Sequence, residues 1–169
     1  MANIPTLAPV LAYISKKQNA LFDFELYPDL WRDKKIANTY YRSKKWLHVY
    51  FTEDCQKLLP KSPGIYMFVV APRHAYLRDH TYIFYVGQTD NIYRRFGEYH
   101  TEKKGERISA DRERVVRFLN HFNGHIYFNY VTIPEAELDK AEDLLVDHIK
   151  PWANIKTKIK AKLAAPQLL

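Results

Sequence analysis

Beyond Leu59-Pro60-Lys61-Ser62-Pro63-Gly64, a block of turn residues, hydrophobic and polar positions fall into a regular order. Ile65–Val70 is an unbroken apolar and aromatic run, the mark of a buried strand. Ala71–Thr81 is polar and basic and predicts a loop, and Tyr82–Val86 predicts a second strand. Thr89-Asp90-Asn91 offers cap chemistry for a helix over Ile92–Tyr99, which Gly97 weakens without forbidding. A charged loop over Thr101–Ala110 leads to a helix at Asp111–Phe122 and a third strand at His125–Thr132. Pro134 suits the start of a helix over Glu135–Ile149, and Pro151 ends it. This order is α+β.

Residues 1–60 follow a different pattern. A helix is expected near Thr6–Lys17, and a basic stretch follows with Arg32, Lys34, Lys35, Arg42, Lys44 and Lys45. Between Trp31 and Trp46 only Asp33 opposes those charges, and Tyr40, Tyr41 and Trp46 interleave with them. Cations mixed with aromatics suit a nucleic-acid surface, since they serve phosphates and bases together. The plain alternative is a solvated face with core aromatics. The tail carries Lys150, Lys156, Lys158, Lys160 and Lys162, with no acid after Asp147. The expected division is an extension over 1–60, a main domain over 61–155 and a basic tail over 156–169.

A chain of 169 residues is one domain, here with an extension, and can bury a full core. The lone Cys55 excludes a disulfide framework and a cysteine-based zinc site. No leader pattern or bilayer-length apolar run is evident, so no membrane role and a cytoplasmic location are expected. The net charge of +7 and pI near 9.3 favour a polyanionic partner. Thirteen tyrosines in so basic a chain strengthen that expectation, because tyrosine both stacks on bases and bonds to phosphates.

Helical spacing singles out a few groups for chemistry. On the helix over 135–149, Leu138, Ala141, Leu145 and Ile149 share one stripe, and Asp139, Asp143 and Asp147 fall on the wet face. Glu142 lies inside the apolar arc, where a carboxylate is costly unless paired with an arginine such as Arg95 or bound to a metal. On the helix after the second strand, Ile92, Phe96 and Tyr99 line one side, with Arg95 among them and Arg94 and Glu98 off it. Arg95 and Tyr99, four residues apart, therefore project together, and Arg95 suits a phosphate. Tyr66 and Tyr85 sit beside Gly64 and Gly87 on strands expected to pair as a hairpin. His100, about 100° away from Tyr99 on the helix, is a second-ranked proton carrier. The phosphate-cradling glycine–lysine loop, the His-Glu-x-x-His pair and the G-x-S-x-G elbow are all absent.

With these residues the chain resembles the GIY-YIG nuclease superfamily. The resemblance begins at Gly64-Ile65-Tyr66 and continues through Tyr85-Val86-Gly87-Gln88-Thr89-Asp90-Asn91. Arg95 and Tyr99 follow Tyr85 by ten and fourteen positions, Glu142 fits the later glutamate, and Pro151-Trp152-Ala153-Asn154 fits the terminal proline–asparagine element. It covers roughly Pro63–Asn154. The 18 residues between Tyr66 and Tyr85 exceed the family's usual spacing, which marks 71–81 as an inserted loop.

The resemblance implies a small three-stranded antiparallel sheet flanked by helices, and metal-dependent hydrolysis of phosphodiesters in DNA, with RNA the lesser expectation. It implies Mg²⁺ or Mn²⁺ on Glu142 and Arg95 on the scissile phosphate. It implies a water oriented by Tyr66 or Tyr85, with Tyr99 in a proton relay and Asn154 closing the site's end. Arg42, Lys44, Lys45, Arg73, Arg78, Arg94, Lys103 and Lys104 are the expected nucleic-acid contacts. Restriction, repair and mobile-element roles all stay open, and the alternative is a non-catalytic nucleic-acid-binding module on the same fold.

Overall fold

The computed structural model describes residues 44–71, 81–105 and 112–154. The helix expected near Thr6–Lys17, most of the basic stretch, the loop carrying Arg73 and Arg78, and the tail over 156–169 lie outside the described residues.

Among the described residues the sheet has four strands rather than three: β1 (Leu47–Tyr50), β2 (Gly64–Val70), β3 (Tyr82–Thr89) and β4 (Ile126–Thr132). Their spatial order is β1-β4-β2-β3, and every adjacent pair is antiparallel. The added strand is short, and two of its four residues are exposed. It is an edge strand, held by pairing to β4 rather than by a continuous apolar run, so its own pattern is faint. The boundary expected at residue 60 falls after β1 and after the 3-10 turn Glu53–Leu58, which packs against the first helix.

β2 is buried at every position because helices cover both faces of the sheet. On one side α1 (Ile92–Lys103) and α2 (Glu113–His121) pack Ile92, Phe96, Tyr99, Phe118 and Leu119 onto Tyr66, Phe68 and Phe128. On the other, α3 (Leu138–Ile149) sets Leu138, Ala141 and Leu145 against Ile65, Met67, Val86 and Val131. Asn91 caps α1 by accepting from the Arg94 backbone N–H at 2.9 Å, as the Thr89-Asp90-Asn91 signal predicts. That helix runs four residues past Tyr99 to Lys103, into the expected loop, because Glu102 turns inward and is buried.

One irregularity shapes the site. Phe68 pairs with Tyr85 and Val69 with Ile83, so Phe84 is an extra residue in β3. Strand alternation would put Phe84 and Tyr85 on opposite faces. The bulge turns both toward the α1–α2 side, where Phe84 stacks on Phe118 at 3.8 Å and Tyr85 reaches the tyrosine cluster.

Candidate active site

Three phenols form a triangle at the edge of the sheet. Ring centroids lie 6.0 Å apart for Tyr66–Tyr85 and Tyr66–Tyr99, and 6.4 Å for Tyr85–Tyr99. The Tyr66 and Tyr99 hydroxyls are 3.1 Å apart, at hydrogen-bonding distance. Register sets this arrangement: Tyr66 stands opposite Gly87, and any Cβ at Gly87 would come within 2.6 Å of the Tyr66 hydroxyl. The glycine of the second motif is thus the floor that the first motif's tyrosine needs. Asn154 pairs with the outer edge of β3 at Val86. Its amide donates to the Val86 carbonyl at 2.7 Å, and its carbonyl oxygen accepts from the Val86 N–H at 2.8 Å.

Burial separates the phenols. Tyr66 and Tyr99 are both 0% exposed, and burial pushes both well above the ordinary phenol range. For Tyr66 the charge of Arg95 opposes that rise in part. Tyr85, on the edge strand, is the one partly open to solvent. Arg95 joins the triangle from α1. Burial works against its charge, but Tyr66, Glu98, Tyr99 and Tyr85 offset that and hold its pKa above the ordinary value.

Glu142 approaches from the opposite layer, half-buried on α3. Its carboxyl titrates above the ordinary range, through burial first and then the neighbouring Asp143 and Asp139, while Gln88 and Arg95 act the other way. Gln88, next to Gly87 on β3, donates from its side-chain amide to Asp139 Oδ1 at 2.6 Å and ties α3 to the edge strand. The candidate site therefore wraps around β3, with Tyr66, Tyr85, Tyr99 and Arg95 on one face and Gln88 and Glu142 on the other. Arg95 pairs with Glu98, which the helical projection put off its side, rather than with Glu142.

A divalent cation fits this donor set in one respect. Glu142 holds its proton more tightly than usual, through burial first and then the acids beside it, and a bound cation would supply the missing positive charge. Among the described residues no group of three or more His, Cys, Asp and Glu side chains could hold a metal. Glu142 would be the protein ligand, with water and phosphate oxygens filling the shell, as Mg²⁺ accepts.

The remaining expected residues are placed as follows. His100 stacks on Phe51 at 4.0 Å and packs near Phe96. Burial, with the charge of Lys103, lowers its pKa to about 4, so it is neutral at pH 7. A folded-state pKa below the unfolded value means His100 supports the fold above pH 6.5 and that support is lost as pH falls toward 4. Acid unfolding of His100→Phe is expected to show a shallower stability slope across that window, measured by denaturant titration at each pH. Arg94 pairs with Asp90 and lies 3.6 Å from Glu98. Lys103 bonds to Asn123 at 2.7 Å and Lys104 pairs with Glu53 at 2.6 Å, beyond the far end of α1 from Arg95's turn. Lys44 and Lys45 lead into β1, and Arg42, Arg73 and Arg78 lie outside the described residues. Sequence reasoning missed Gln88, Glu98 and Arg112; the i,i+3 spacing of Arg95 and Glu98 was a usable signal, and Arg112 offered none.

No family model matches the chain, and no curated protein matches it significantly. Among solved structures it is similar to the GIY-YIG N-terminal endonuclease domain of UvrC from Thermotoga maritima. With the magnesium-bound form it shares 20% identity at a TM-score of 0.41, covering 62% of this chain and 99% of that one. With a point mutant of that domain bound to its catalytic divalent cation, the values are 18% and 0.42 over the same shares. This is a likeness in architecture, and the site's chemistry has to be read from its own side chains.

Proposed function

We propose that this protein is a divalent-metal-dependent endonuclease that hydrolyses phosphodiester bonds in DNA. The observation that carries the reading is the convergence around β3 of an accessible phenol, a charged guanidinium and a half-buried carboxylate with raised proton affinity. Each is suited to a separate demand of phosphodiester hydrolysis. Arg95 binds non-bridging phosphate oxygens and stabilises the charge that develops there. The Tyr85 oxygen accepts a hydrogen bond from the attacking water and orients it, and Tyr66 and Tyr99 fix the Tyr85 ring. Glu142 would hold a Mg²⁺ or Mn²⁺ ion, which polarises the phosphate when bound. Asn154 and Gln88 set the strand and helix that carry these groups.

The test is cleavage of plasmid and oligonucleotide DNA by the pure protein with Mg²⁺ or Mn²⁺. Cutting is expected with either ion and is expected to cease on chelation with EDTA. Tight DNA binding without cutting, with either ion and on RNA as well, would replace this reading by the non-catalytic binding module. Sequencing the ends of fragments cut from a random-sequence pool separates a restriction-type specificity from structure-selective cutting.

A further inference from the structure

We infer that Glu98 is a positioning residue that sets the angle at which Arg95 meets phosphate, an inference that rests on the nuclease reading above. Glu98 Oε2 lies 3.1 Å from Arg95 Nε and 3.2 Å from Arg112 Nη1. Its other oxygen lies 3.6 Å from Arg94 Nη1, so three guanidiniums surround one carboxylate. The contact to Arg95 is an ion pair at Nε, close but without hydrogen-bond alignment, and it leaves the two terminal amino groups, the fork that grips a phosphate with two parallel bonds. Glu98 is well placed for this because it follows Arg95 by three residues on α1, within reach of the same helix face.

Arg112 keeps Glu98 from neutralising Arg95 outright. It comes from the start of α2, and its Nη1 also lies 2.7 Å from Oε1 of Glu102, a carboxylate only 8% exposed. Its Cζ sits 5.3 Å from the centre of the Tyr99 ring. Arg112 is therefore held by Glu102 and Tyr99 independently of Glu98, and it shares the charge of Glu98 with Arg95. Positive charge is thereby left on Arg95 for an anion. The local balance of Arg94, Arg95 and Arg112 against Asp90, Glu98 and Glu102 is three to three. Removing the Glu98 charge tips it to net positive, which favours polyanion binding while freeing Arg95 to rotate.

That combination gives a signature that a structural role would not. In Glu98→Gln, kcat is expected to fall on the order of 10²-fold, the cost of a misplaced catalytic group, with KM for DNA unchanged or lower. In an Arg95→Lys background, which lacks the Nε–H, the same change is expected to produce no further fall in kcat. The Arg95 Nε–H resonance, assigned by its absence in Arg95→Lys, is expected to shift in Glu98→Gln as the carboxylate charge beside it is lost. Unchanged kcat, or an equal fall in both backgrounds, or an unmoved resonance overturns the inference while the nuclease reading stands. A wild-type protein that cuts no nucleic acid overturns the nuclease reading, and this role with it.

Discussion

Glu142→Gln is expected to lower metal-dependent cleavage by about three orders of magnitude and, at the same time, to raise the melting temperature at pH 7. The activity loss follows from removing the carboxylate that would hold the cation, whose charge stabilisation is worth several kcal/mol at about 1.4 kcal/mol per decade. The stability gain follows from linkage. Burial and the neighbouring Asp143 and Asp139 raise the folded-state pKa of Glu142 above its unfolded value. Such a group supports folding below its unfolded pKa and becomes a cost as pH rises through the folded one. At pH 7 the buried carboxyl is therefore a cost to folding, and the isosteric amide removes it. Mg²⁺ should raise the wild-type melting temperature and leave that of Glu142→Gln unmoved, because a ligand stabilises only the fold it binds. Calorimetry at pH 5 and pH 7, with and without Mg²⁺, measures both effects. A variant that is inactive but also less stable at pH 7 would mean that Glu142 serves the fold and not a cation.

The glycines of the two motifs are expected to fail in different ways when replaced by alanine. A Cβ on Gly64 would lie 2.3 Å from the Val131 carbonyl oxygen and 2.7 Å from Ile92 Cδ1. That oxygen belongs to the neighbouring strand β4, where Ile65 pairs with Val131, and it cannot retreat without opening the sheet. The cost is expected at or above the top of the ~1–3 kcal/mol typical of overpacking. A Cβ on Gly87 meets side chains instead, Tyr66 at 2.6 Å and Tyr85 at 2.8 Å. These are side-chain and not backbone atoms, so Gly87→Ala is expected to keep the fold with a smaller loss of stability and to lose cleavage by breaking the phenol triangle. Denaturant unfolding and cleavage rates on both variants check the contrast. Equal stability losses would show that both positions are merely packed.

The strand runs, the amphipathic stripes of α1 and α3, and the inward bias of Arg95 and Glu142 were all legible in the order of residue types. They depend on the period of a helix or the identity of consecutive residues, which a chain carries locally. β1 was not legible, because four residues with two exposed gain their stability from pairing with β4 across 77 to 83 positions of sequence, a relation no local window holds. The same limit hid the bulge at Phe84, whose effect depends on what Phe68 and Val69 pair with. It also hid Arg112, which reaches Glu98 only because α2 packs beside α1.

The sequence by itself determined an α+β order, a basic chain, and a set of phenol, guanidinium and carboxylate groups at spacings that put them on facing elements. Tertiary structure decided how those groups differ. Tyr66 and Tyr99 were closed off by the layer of α1 and α2, while the edge position of β3 left Tyr85 partly open. Glu142 was brought around that edge from the opposite layer, and Arg95 was paired to Glu98 instead. The reason is that burial and charge are set by everything packed around a group, and most of what surrounds each of these side chains comes from distant parts of the chain.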